Sequence, residues 1–168
     1  MKTLLSLVLF VFALSAKAGN EGAQAAPGLP NPTVLAECIE FTGFMAPPDY
    51  PINVHYQILT DGTVQVQSWK RNQKDPEVRV LKKLSQDKVA QIDDLVQSIE
   101  PGEMVDPNPG APPCMDGGSR KYVVYSLEGE ITIAETIACK KMIRPNATEA
   151  DEAMIVTLNS VKKLANKK

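Results

Sequence analysis

The sequence predicts an α+β fold: one antiparallel sheet built from two β-hairpins, with two helices packed on one face, in the order ββα-ββα. Three observations carry this expectation. Val54–Trp69 and Tyr122–Ile133 each hold two runs of β-branched and aromatic residues around a Gly-containing turn. Val89, Ile92, Val96 and Ile99, and later Met154, Leu158 and Val161, recur at the helical spacing. Pro and Gly then punctuate the chain between these runs, as at Pro101-Gly102.

Before the first of these elements stand two segments of different character. Met1–Ala18 reads MKTLLSLVLFVFALSAKA. Lys2 is a positive start, Leu4–Leu14 an apolar run and Ala16-Lys17-Ala18 an A-x-A cleavage site. The pattern predicts a secretory signal peptide over 1–18, of bacterial style, with an apolar run too short to span a membrane comfortably. Residues 19–33, rich in Gly, Ala and Pro, are expected to be a disordered leader. Residues 34–168 are expected to form a single globular α+β domain, exported to the periplasm or beyond, with no integral membrane segment after cleavage.

The chain carries 18 basic and 20 acidic side chains; without Lys2 and Lys17 the count is 16 against 20, a net charge near −4. No basic face dominates, and aromatics make up 5% of the residues, so no nucleic-acid partner is expected.

Val34–Phe44 alternates weakly around Ile39 and Phe41 and is read as a short extra strand containing Cys38. A short helix ending at Gly43 is the alternative. Ala46–Pro51 breaks any element. In the first hairpin, a Thr60-Asp61-Gly62 loop aligns Ile58 with Val64, Tyr56 with Val66 and Val54 with Ser68. His55, Gln57, Gln65 and Gln67 then share the opposite face, which is expected to see water. Val78–Leu81 offers a further short strand. Ser85 caps a helix with Asp87 in its first turn, and Pro101-Gly102 ends it. In the second hairpin, a three-residue loop Leu127-Glu128-Gly129 sets Tyr125 against Ile131, Val123 against Ile133 and Lys121 against Glu135. The last helix starts near Thr148, with Glu149, Asp151 and Glu152 in its first turn and Lys162, Lys163, Lys167 and Lys168 crowding its C-terminal end.

Cys114 and Cys139 flank the open ends of the second hairpin, which makes a bridge between them geometrically reasonable, and export favours oxidation. Three pairings of the three cysteines exist; Cys38 is expected to be the one left over. With His55, the only histidine, the cysteines would also count as a zinc set, but no C-x₂₋₄-C pair is present. No metal and no cofactor are expected. His55 sits mid-strand with no nucleophile motif nearby, so it reads as a surface residue and not as part of a catalytic site. Asp106-x-Asn108-x-Gly110, with Asp116 beyond it, is a weak match to a calcium loop because the closing Glu is missing.

What remains is Pro101–Ser119, long and Pro-rich, with Met104, Val105, Asp106, Asn108, Met115 and Asp116 as candidate binding residues. From Cys114 to Cys139 the pattern of Cys, Met, hairpin and Cys resembles the secreted bacterial subtilisin inhibitors. Those present a reactive loop just past the first Cys, on an antiparallel sheet with helices on one side. Their second disulfide has no counterpart here, and Gly117-Gly118 loosens the matching segment. The expected function is therefore a small exported non-enzymatic binding domain whose partner is another exported protein. The alternative is a secreted peptidase inhibitor using the 101–119 loop.

Overall fold

The computed structural model describes residues 33–43, 46–110, 112, 114 and 118–167. The expected signal peptide, all of the expected leader but Thr33, and the candidate residues Met115 and Asp116 lie outside the described residues.

The chain forms β1 (Val34–Phe41), β2 (Asn53–Leu59), β3 (Thr63–Trp69), β4 (Glu77–Lys83), α1 (Gln86–Gln97), β5 (Ser119–Ser126), β6 (Gly129–Ile137), β7 (Lys140–Met142) and α2 (Glu149–Ala165). All strands join one antiparallel sheet of order β4-β3-β2-β1-β5-β6-β7. The α+β class stands. The order ββα-ββα does not: four strands precede α1 and three lie between α1 and α2. Nor do two hairpins alone make the sheet, because β4 extends the first and β7 the second.

The strand read as an extra is the centre of the sheet. β1 pairs with β2 on one side and β5 on the other. Leu35, Ala36, Glu37 and Cys38 are all buried on it. A strand buried on both faces loses the polar–apolar alternation by which half-exposed strands are recognised.

The first hairpin keeps the expected register, with Ile58 opposite Val64, Tyr56 opposite Val66 and Val54 opposite Ser68. Gly62 closes its loop at φ +85, a left-handed conformation that glycine takes without steric cost. The second hairpin departs from expectation. Ser126 pairs with Gly129, leaving a two-residue loop, so Val124 faces Ile131 and Tyr125 faces Glu130. The register shifts between Tyr122 and Val123, which brings Lys121 back opposite Glu135. Pairing apolar with apolar failed because Tyr125 belongs to the other face, where its hydroxyl meets Glu37. The shift also lets the consecutive residues Ile133 and Ala134 both turn towards the core.

Both helices bury their apolar stripes in that same core. α1 supplies Val89, Ile92 and Val96, followed by Ile99; α2 supplies Met154, Leu158 and Val161. They meet Ala36, Cys38, Tyr56, Ile58, Tyr122 and Val124 from the central strands. Each such large apolar side chain contributes about 1.5–3 kcal/mol on burial. α2 opens with a capping box: Asp151 Oδ2 accepts hydrogen bonds from Thr148 N (2.7 Å) and Thr148 Oγ1 (2.9 Å). Asp151 stands in the first turn, as expected, and is buried there. Its other oxygen pairs with Arg144, and both side chains are buried. This ion pair ties the start of α2 to the chain just after β7.

Candidate functional site

Antiparallel pairing gathers three loops at one end of the sheet. Phe41 faces Asn53 and Ser119, Asn53 faces Trp69, Ser68 faces Glu77, and Ser119 faces Ile137. The connections between Phe41 and Asn53 and between Trp69 and Glu77 therefore emerge side by side with the β6–β7 turn, and the chain re-enters the sheet beside them at Ser119.

The first of these loops is tied to the sheet. Thr42 N donates to Ile52 O (3.0 Å), and Ile52 N donates to Trp69 O (2.8 Å). Thr42 Oγ1 donates to Pro51 O (2.9 Å). The longest loop, between α1 and β5, is held at three places. Val105 and Ile143 exchange backbone hydrogen bonds of 2.8 and 2.9 Å. Asp106 Oδ2 pairs with Lys140 Nζ at 3.0 Å, while its Oδ1 accepts from Asn108 N at 2.8 Å. Cys114 and Cys139 are joined by a disulfide, with S–S 1.91 Å and Cα–Cα 5.8 Å. Cys114 N also donates to Ala138 O (3.0 Å). Ala138 and Cys139 form the turn between β6 and β7 at φ 46 and 67, a region that non-glycine residues rarely occupy.

Of the candidate residues, Met104 is half-buried, Val105 is spent on the bridge to Ile143, and Asp106 is an anchor. The acid that would open a calcium loop thus already has a lysine partner. Asn108 is exposed, with Pro107, Pro109 and Gly110 around it. The structure brings these into one tethered, outward-facing segment.

Beneath the loops, on the helix face, lies a cavity of about 360 Å³ lined by Glu40, Thr42, Ser119, Arg120, Thr136 and Lys162, among others. Glu40 Oε1 accepts from Arg120 Nε and from Lys162 Nζ, each at 2.5 Å. Tyr56 OH lies 3.4 Å from Oε2. Burial works against the charge on Glu40, but the hydrogen bonds from Lys162 and Arg120 outweigh it and hold the carboxyl below its ordinary range. The sequence reading missed this group. In the sequence Lys162 stands where a cation suits the end of the helix dipole, and Arg120 meets Glu40 only once β1 is known to lie beside β5.

The opposite face holds a second polar group around Glu37. Gln57 Nε2 donates to its Oε2 at 2.9 Å, His55 Nδ1 lies 2.9 Å from the same oxygen, and Tyr125 OH donates to Oε1 at 2.5 Å. Gln65 Nε2 donates in turn to Gln57 Oε1 at 2.9 Å. Burial again raises the carboxyl, yet the bonds from His55, Tyr125 and Gln57 leave it below its usual value. The face expected to see water does so only in part, with Gln65 and Gln67 half-buried, and its histidine is not bland. Gln57 is buried, and the His55 side chain, 20% exposed, sits 4.8 Å from the Trp69 ring. Cys38 is a free, buried thiol, which burial pushes up to about 12.

Among the described residues no helix is long and apolar enough to cross a membrane. The chain matches no known family model, no curated protein and no solved structure.

Proposed function

We propose that this chain is a small exported, non-enzymatic binding domain of the bacterial envelope or secretome that holds another exported protein at the loop end of its sheet. One observation carries the reading. Residues 107–110 stay exposed while the chain on either side is fixed by the Val105–Ile143 bridge, the Asp106–Lys140 ion pair and the Cys114–Cys139 disulfide. A segment ordered in advance loses less entropy on binding, and proline lowers that cost further. Export rests on the signal-peptide pattern at the N-terminus and is in keeping with a disulfide.

A photo-crosslinking residue at Asn108, placed in the full chain in the living host, should give a discrete adduct with one exported protein. The same residue at Val156, exposed on α2, should not. No adduct from Asn108, or equal adducts from both positions, would remove the reading. So would a hydrolytic activity that His55→Ala abolishes.

The second reading, a peptidase inhibitor, draws on the same tethered segment. It requires tight inhibition of a secreted serine peptidase that disappears when Cys114 and Cys139 are both replaced by Ser. Rapid cleavage within 101–119 with the disulfide intact would exclude it.

A further inference from the structure

We propose that the cavity between Glu40, Arg120 and Lys162 is a binding site for a single carboxylate. The charge count comes first. One acid faces two bases, so the cavity carries one uncompensated positive charge in a chain whose net charge is −2. Donors remain after the internal pairs are made. Lys162 Nζ has three N–H bonds and gives one of them to Glu40 Oε1. Arg120 gives its Nε–H to Glu40 and also hydrogen-bonds the Tyr122 hydroxyl, which still leaves N–H groups of its five, and its side chain is 43% exposed. Ser119 and Thr136 also line the wall, with Thr136 paired opposite Arg120 across the strands, whereas the hydroxyl of Thr42 is committed to Pro51 O.

Glu40 decides which anion fits. A dianionic phosphate would meet the Glu40 carboxylate with only one positive charge in hand, so repulsion offsets much of its attraction. A carboxylate needs just that one charge, and its planar pair of oxygens matches the guanidinium fork. At about 360 Å³ the cavity lies near the lower end of the range for small-molecule sites. It takes a small acid or the terminal residue of a chain. Gly118 and Ser119 belong both to this wall and to the end of the long loop. A polypeptide held at the loop end could therefore place its carboxylate here, and that source of the ligand rests on the proposed function.

The test uses the oxidised full chain and follows amide and Arg Nε–H NMR signals. N-acetylglycine should give saturable shifts at Ser119, Arg120 and Thr136, and N-acetylglycinamide should give none. Inorganic phosphate should bind at least about tenfold more weakly, equivalent to about 1.4 kcal/mol. Arg120→Gln should weaken N-acetylglycine by about tenfold or more, and Thr136→Val, which leaves the ion pairs intact, by less. Tetra-alanine with a free C-terminus binding more tightly than N-acetylglycine assigns the carboxylate to a polypeptide; weaker or equal binding assigns it to a small acid. No saturable shift with either acid, equal binding of the amide, or phosphate binding as tightly as the acid overturns the proposal. Should Arg120→Gln fail to fold, the acid–amide comparison on the unmodified chain still decides. Acid binding without an Asn108 adduct would retain this site and remove the proposed function; the converse would do the reverse.

Discussion

Gly118 and Phe41 meet backbone to backbone: a Cβ built on Gly118 would lie 2.3 Å from the Phe41 carbonyl oxygen. The long loop re-enters the sheet at this contact, beside the end of β1 and at the rim of the charged cavity. Any side chain at 118 must displace either β1 or β5, and no flexible group can give way.

Gly118→Ala should therefore destabilise the fold by about 1–3 kcal/mol, the usual cost of overpacking. Gly110, in the same loop, has nothing within 4 Å of its would-be Cβ. Gly110→Ala should stay within about 0.5 kcal/mol. Urea denaturation of both variants checks the contrast. Equal effects would mean that the re-entry point is not constrained.

The Cys114–Cys139 bridge joins residues 25 apart. Loop-closure entropy for that separation is worth about 3–4 kcal/mol. Replacing both cysteines by Ser should cost an amount of this order and open residues 107–110 to limited proteolysis. Undiminished stability and unchanged digestion would show that Val105–Ile143 and Asp106–Lys140 hold the loop unaided.

What the sequence made legible follows from period and locality. The first hairpin, including its register, and both helices rest on local signals, and the structure has them. The role of β1 was hidden because a central strand carrying Glu37 and Glu40 looks half-exposed until its neighbours are known. Both carboxylates are answered from distant parts of the chain: Tyr125 lies 88 residues from Glu37, and Lys162 lies 122 from Glu40. Pairs so far apart leave no pattern in a single sequence. The second hairpin failed for a related reason. Its best local register would have paired Tyr125 with Ile131 and left Glu37 without the Tyr125 donor.

Cys38 is fully buried, and its thiol is pushed up to about 12. The thiolate is the reactive form, so at pH 8 the native protein should resist alkylation by iodoacetamide. Denaturation should release one reactive thiol without reductant. Modification of the native chain at the rate of a small thiol would show that the core opens around β1.

Glu37 and Glu40 are both held below the ordinary carboxyl range in the folded state. A depressed folded value means that each contributes stability fully present above the unfolded value of about 4.3 and lost as the pH falls through the folded one. Stability should thus fall on the acid side. Glu37→Gln should flatten that fall while lowering stability at pH 7, since Tyr125, Gln57 and His55 lose a charged acceptor. The urea midpoint at pH 7 and pH 3 for both proteins is the measurement; an unchanged pH dependence would show that Glu37 is not the acid-sensitive group. The same cluster fixes the cost of losing His55. A surface histidine could be replaced by Ala for less than about 0.5 kcal/mol. Here His55→Ala removes a partner from a buried carboxylate and a contact from Trp69. A loss of about 1–3 kcal/mol is expected, the range for a hydrogen bond to a charged, buried group. It should shrink in the Glu37→Gln background, because a neutral amide needs the donor less. Additive losses in the double variant would place the effect in packing against Trp69 and not in the hydrogen bond.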